Sequence, residues 1–124
     1  MRVLYIASDY EDSRISFMNA WLKKHQIEYR RVPGVTVGCL EEVSEYNALK
    51  RIKRYGFEMT ASEVGCFLAH RECWKMIENF DHGALILESD CYASENIDVS
   101  KVLDGLQNVT TDFDLVRQIG RAHV

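Results

Sequence analysis

The stretch Met59–Asp90, MTASEVGCFLAHRECWKMIENFDHGALILESD, decides the fold. Thr60-Ala-Ser-Glu63 has the spacing of a capping box, in which the threonine hydroxyl accepts from the backbone N–H of Glu63 and the glutamate reaches back to the N–H of Thr60. Behind it, Val64, Phe67, Leu68, Trp74 and Ile77 recur near helical spacing and predict one apolar helix face. Gly83, after Asp81-His82, is the expected stop. Ala84-Leu-Ile-Leu87 is a short continuous apolar run, as in a central strand covered on both faces. Glu88-Ser89-Asp90 then leaves that strand at its carboxyl end, where open α/β sheets bind their ligands. Two carboxylates flanking a small residue there are placed to hold a divalent metal on a diphosphate. The same residues also suit a simple strand-end loop, because acidic residues after strands are common.

Outward from this unit, Arg2–Ala7 reads as a first strand, followed by a helix capped by Asp12 or Ser13 and running to about Lys24. Its apolar face carries Ile15, Met18, Trp21 and Leu22. Glu28–Val32 reads as a second strand ended by the turn dipeptide Pro33-Gly34. A helix is expected over Glu41–Lys53, broken by Tyr55-Gly56, with a further helix at Val99–Leu106 and a strand beginning at Phe113–Val116. Strands alternating with helices predict an α/β layer with a mostly parallel sheet.

The chain has 124 residues, of which 47% are hydrophobic and one is proline, which fits one ordered domain and argues against disorder. A net charge of −4 gives no basis for nucleic-acid binding. The local run Lys50-Arg51-Ile52-Lys53-Arg54 is basic; it reads either as a solvated helix face or as a contact to an anionic substrate or membrane surface. No apolar stretch approaches the roughly 20 residues that span a bilayer. The first apolar run meets Ser8-Asp9-Tyr10-Glu11-Asp12 at once and so reads as a strand, not a signal peptide.

Cys39, Cys66, Cys73 and Cys91 form no C-x-x-C pair, which points to a reducing, cytoplasmic setting. Cys66, His70 and Cys73 fall at i, i+4 and i+7, a spacing that could bind zinc with Cys91 or His82 as a fourth ligand. The plainer alternative is two core cysteines with a histidine near the ligand cleft. Trp21 and Trp74 read as core aromatics. Glu63 reads first as the capping partner, although a helix N-terminus facing the sheet edge also assists anion binding. Arg14 reads equally as a surface arginine or as a contact to a diphosphate. A phosphoacceptor receiver domain has similar length and element order, but Asp90 lacks a following Met-Pro turn and no lysine follows a later strand. A non-catalytic binding module on the same fold is a third possibility.

Thr60-x-x-Glu63-Val-Gly-Cys-x-Leu-x-His70, then Trp74, then Ala84-Leu-Ile-Leu-Glu-x-Asp90 resembles glycosyltransferase family 25, the lipooligosaccharide galactosyltransferases and their relatives. Asp12-Ser13-Arg14 after the first strand and Asp112-Phe-Asp-Leu-Val116 are similar to further family segments, so the resemblance covers 1–118. It implies a GT-A-like (Rossmann-like) nucleotide-sugar domain. It also implies transfer of a hexose, often galactose, from a UDP-sugar to a lipooligosaccharide or other glycan acceptor, with Mn2+ or Mg2+ on the diphosphate. By this resemblance Asp90 is a direct metal ligand and Glu88 holds a metal-bound water or the ribose, with Arg14, Glu63 and His70 around the donor site. A cytoplasmic enzyme, peripheral at the inner membrane, is implied.

Ser89 departs from the family's usual Glu-Asp-Asp, which removes one acidic group and leaves open a degenerate, catalytically inactive nucleotide-sugar-binding form. The resemblance also implies a longer parent, so a domain truncated at its C-terminus is expected, with the catalytic base and acceptor site beyond it. Ile119-Gly-Arg-Ala-His-Val124 has no helix or strand pattern and resembles a sequencing adapter translated in one frame. Residues 119–124 are therefore expected to be a non-native tail, which genomic DNA encoding them would disprove.

Overall fold

A computed structural model describes residues 2–91 and 98–108. Three strands, β1 (Arg2–Ala7), β2 (Tyr29–Pro33) and β3 (Ala84–Glu88), form a sheet in the order β2-β1-β3. Both pairings are parallel: Val3 to Ala7 lie against Tyr29 to Pro33, and Arg2 to Ile6 against Ala84 to Glu88. Helix α1 (Asp12–Lys24) links the first two strands, and α2 (Ala48–Tyr55) and α3 (Ala61–Ile77) lie between β2 and β3. Helix α4 (Val99–Gln107) follows. The α/β fold with an all-parallel open sheet is as the alternation of elements predicts.

Side chains leave a strand alternately on its two faces, and β1 divides the core accordingly. Val3, Tyr5 and Ala7 face one side with Met18 and Leu22 of α1 and Val99 and Leu103 of α4. Leu4 faces the other side with Val32 and Cys73, and Ile6, Ile86, Met76 and Ile77 pack around them. Tyr5 is fully buried and its hydroxyl donates to Asn19 Oδ1 of α1 at 2.5 Å. β1 is thus the central strand, and helices cover the sheet on both faces.

Four expectations change. The covered central strand is β1; β3 is only half-buried and lies at the sheet's edge among the described residues. The expected strand at Phe113–Val116 lies outside the described residues, as do residues 119–124. The helix expected over Glu41–Lys53 is instead a single 3-10 turn, Leu40–Glu42, and the shorter α2. The reason is Asn47, whose side chain accepts from the N–H of Lys50 and starts the helix seven residues later than its apolar and charged pattern suggests. Gly56 ends it in the left-handed region, with φ of 82°.

The buried stripe of α3 is the third correction. Val64, Gly65, Ala69 and Cys73 are buried, whereas Phe67 and Trp74 are 46% and 41% exposed and stack edge to face on each other. Small residues allow close approach here: a Cβ on Gly65 would sit well inside contact with the carbonyl oxygen of Val35. The fourth concerns α1, which starts after Glu11, not after a capping Asp12 or Ser13. The capping box at Thr60 is present in both directions, at 3.1 Å and 3.3 Å.

Candidate functional site at the carboxyl edge

All three strands point their carboxyl ends to one edge, and the connections leaving that edge meet there. From β1 come Ser8 and Glu11, from β2 Gly34 and Val35, and from β3 Glu88-Ser89-Asp90. The loops after β1 and β2 touch: a Cβ on Gly34 would overlap the hydroxyl of Ser8. Arg31 ties the same loops, donating to the carbonyl of Ala7 at 2.9 Å and pairing with Asp9 at 3.0 Å.

Glu11 is the functional-edge residue that sequence reasoning missed. Its carboxylate accepts from the backbone N–H of Ser8 at 2.7 Å, from Arg14 Nη1 at 3.0 Å and from Ser89 Oγ at 3.1 Å and 3.2 Å. The hydrogen bond from Ser8, then those from Ser89 and the charge of Arg14, hold its carboxyl below the ordinary glutamate range. A signal existed: Ser8-x-x-Glu11 has the same three-residue spacing as Thr60-x-x-Glu63. Arg14 is therefore half-exposed and engaged by Glu11, and through it by the β3 loop.

The alternation of side chains splits Glu88-Ser89-Asp90. Glu88 shares a face with Ala84 and Ile86, the α3 side, whereas Ser89 turns to α1 and Glu11. On the α3 side, Glu88 Oε1 lies 3.6 Å from Cys66 Sγ and 3.7 Å from His70 Nε2. His70 Nδ1 lies 3.0 Å from the carbonyl oxygen of Cys66. A carbonyl only accepts, so Nδ1 carries the proton and Nε2 faces Glu88. Cys66 is exposed as a residue, yet desolvation of its thiol, then the charges of Glu88 and Asp90, push that thiol up. Asp90 is exposed, and its charge reaches the Cys66 thiol.

Of the residues singled out from sequence, Glu88, His70 and Asp90 are thus on one side of the edge. Arg14 reaches the same loop from the other side through Glu11. Glu63 stands apart, its carboxylate held in the cap of α3. The Cys66-His70-Cys73 set is not formed, because Cys73 is fully buried against Leu4 and Val32. Burial pushes its thiol up to about 11. Cys66 is not a core cysteine, and Trp74 is not a core aromatic. A hollow of about 320 Å³ between β2 and α3, lined by Arg30, Arg31, Gly34 and Glu72 among others, contains none of the acidic edge residues.

Helices on both faces of an open parallel sheet, with acidic residues at its carboxyl edge, define a Rossmann-like α/β unit. The family described as glycosyltransferase family 25 (LPS biosynthesis protein) matches residues 1–122, and the chain belongs to that family. No curated protein and no solved structure matches the chain. The class is that of a glycosyltransferase of lipopolysaccharide biosynthesis, which implies a sugar donor and a glycan acceptor in general terms.

Proposed function

We propose that the carboxyl edge of this sheet holds the diphosphate of a UDP-hexose, with galactose as the sugar, for metal-dependent transfer to a lipooligosaccharide or related glycan. The observation that carries this reading is the placement of Glu88 as the last residue of β3, beside Ile6 of the central strand, with Asp90 exposed just beyond it.

The donor chemistry suits Mn2+ or Mg2+, since both residues offer hard carboxylate oxygens and neither is buried. Such a cation, when bound, neutralises the charge that develops on the leaving diphosphate. Asp90 and Glu88 are the residues that would hold it. Glu11 fixes Arg14 and the β3 loop relative to each other, which keeps a guanidinium close to the same edge for the donor's phosphates. Ser89 points to Glu11, so its lack of charge takes nothing from the Glu88 side, which favours a working site over a degenerate one.

No catalytic base is assigned: Glu63 serves the helix cap, and His70 faces Glu88. Among the described residues no helix is long and apolar enough to cross a membrane. Helix α2 and the residues after it expose Leu49, Ile52, Tyr55 and Phe57 beside Lys50, Lys53 and Arg54. That pattern supports peripheral contact with an anionic inner-membrane surface from the cytoplasmic side.

The test is binding of UDP to the chain with and without Mn2+, in the wild type and in Asp90→Asn. Manganese-dependent binding that weakens at least about tenfold in the variant is expected for a lost direct ligand. Binding indifferent to both manganese and Asp90 would remove these residues from the donor site.

A further inference from the structure

We propose that Cys66, His70 and Glu88 form a binding site for a borderline divalent cation of the Zn2+ type, distinct in chemistry from a carboxylate site for Mn2+ or Mg2+. One ligand atom from each of the three side chains lies within 4.8 Å of the others. Tetrahedral zinc with ordinary bond lengths sets its sulfur and oxygen ligands about 3.6 Å apart and its nitrogen and oxygen ligands about 3.4 Å apart. The observed separations are 3.6 Å between Cys66 Sγ and Glu88 Oε1 and 3.7 Å between His70 Nε2 and the same oxygen.

The nitrogen–oxygen distance is long for a direct hydrogen bond and close to the separation of two ligands on one ion. The tautomer agrees. Metal-bound imidazoles commonly donate their other N–H to a backbone carbonyl, and here Nδ1 is committed to the carbonyl of Cys66 while Nε2 remains toward Glu88.

The scaffold supplies the ligands from rigid elements. Cys66 and His70 are one helical turn apart on α3, and Glu88 ends β3, on the face that packs against that helix. A thiolate, an imidazole and one carboxylate select zinc over manganese or magnesium, and three protein ligands leave a fourth position open. Binding displaces the Cys66 thiol proton to solvent. Glu88 is also one of the two carboxylates proposed above for the diphosphate cation, so zinc here would hold it on the α3 side.

The experiment is titration of the metal-free 124-residue chain with Co2+, followed by displacement with Zn2+. One equivalent of Co2+ should give visible ligand-field bands and a sulfur-to-cobalt charge-transfer band, both removed by zinc. Cys66→Ser should abolish the charge-transfer band. His70→Asn and Glu88→Gln should weaken affinity by more than the roughly 10–100-fold that losing an outer-shell partner costs. Cys39→Ser, Cys91→Ser and Asp90→Asn should leave the band in place. Circular dichroism confirms that each variant is folded.

Zinc should also protect Cys66 from alkylation, read by mass spectrometry, while Cys39 continues to react. Absence of the band at saturating Co2+, or a band that survives Cys66→Ser, overturns the site. Loss of the band in Asp90→Asn overturns it too, by making the cation one of the carboxylate edge. The UDP-binding test reads none of these signals, so either proposal can fail alone.

Discussion

Replacing Glu11 should loosen the carboxyl edge by an amount the structure allows to be worked out. Its carboxylate is 17% exposed and accepts one hydrogen bond from a backbone N–H, one from the Ser89 hydroxyl and one from Arg14. Hydrogen bonds to charged groups contribute about 1.5–3 kcal/mol each, and the bond from Ser8 at 2.7 Å is the strongest candidate for that range. The Arg14 pair, with a half-exposed arginine, adds at most about 1 kcal/mol. Glu11→Ala should therefore cost about 3 kcal/mol, since the three contacts share one group and do not add fully. With a urea slope of about 1.5 kcal/mol per molar, the midpoint of unfolding falls by about 2 M. Glu11→Gln keeps one carbonyl acceptor and should cost about 1 kcal/mol. The assay is urea unfolding followed by tryptophan fluorescence.

The pH dependence carries the sign. The folded carboxyl sits below its ordinary value of 4.5, so its stabilisation is fully present above that pH and is lost as pH falls through the lower folded value. The gap between wild type and Glu11→Gln should therefore be constant near neutrality and shrink in acid. Equal midpoints for wild type and Glu11→Ala, or a gap unchanged down to about pH 3, would refute the clamp.

Two glycine substitutions should act in opposite directions. Gly65→Ala drives a Cβ into the backbone carbonyl of Val35 and should destabilise by about 1–3 kcal/mol, whereas Gly105→Ala, with open space around it in α4, should stabilise by about 0.5–1 kcal/mol, both read as urea midpoints. Equal effects at the two positions would mean that α3 does not approach the β2 loop so closely. For the cysteines, iodoacetamide at mildly alkaline pH should label Cys39 and Cys66 in the folded chain. Cys73, fully buried with its thiol pushed up to about 11, should react only after denaturation. Fast native labelling of Cys73 would place it outside the core.

What could be read from the sequence was governed by local chemistry. The apolar run Arg2–Ala7 marks the first strand, and Thr60-x-x-Glu63 marks the first turn of α3 within a residue, because both signals lie within one element; which strand is covered on both faces is set by the pairing order, not by either run. The face of α3 was not so readable. Phe67 and Trp74 form one plausible stripe and Gly65, Ala69 and Cys73 another, and periodicity alone does not choose between them. The choice is made by the sheet and the loop at Val35, which accept a helix only where its side chains are small. The late start of α2 was a different kind of miss: the amide of Asn47 competes locally with a helix pattern that otherwise runs through it. Glu11 escaped notice because its partner, Ser89, lies 78 residues away.

The departure at position 89 takes on a different meaning once the strand's alternation is known. Three consecutive residues leaving β3 cannot all face one ion, since neighbours along an extended chain point to opposite sides. Glu88 goes to Cys66 and His70, and Ser89 goes to Glu11. An aspartate at 89 would set a second carboxylate against Glu11, about 3 Å from an oxygen already accepting from Ser8, and like charges so placed oppose each other. A serine hydroxyl donates there instead. The uncharged residue in the middle of the motif is thus matched to the glutamate after β1, while Glu88 turns to Cys66 and His70 of α3. The chemistry of this edge follows from two separate decisions, one made with α1 and one with α3, that the three letters of the motif present as one.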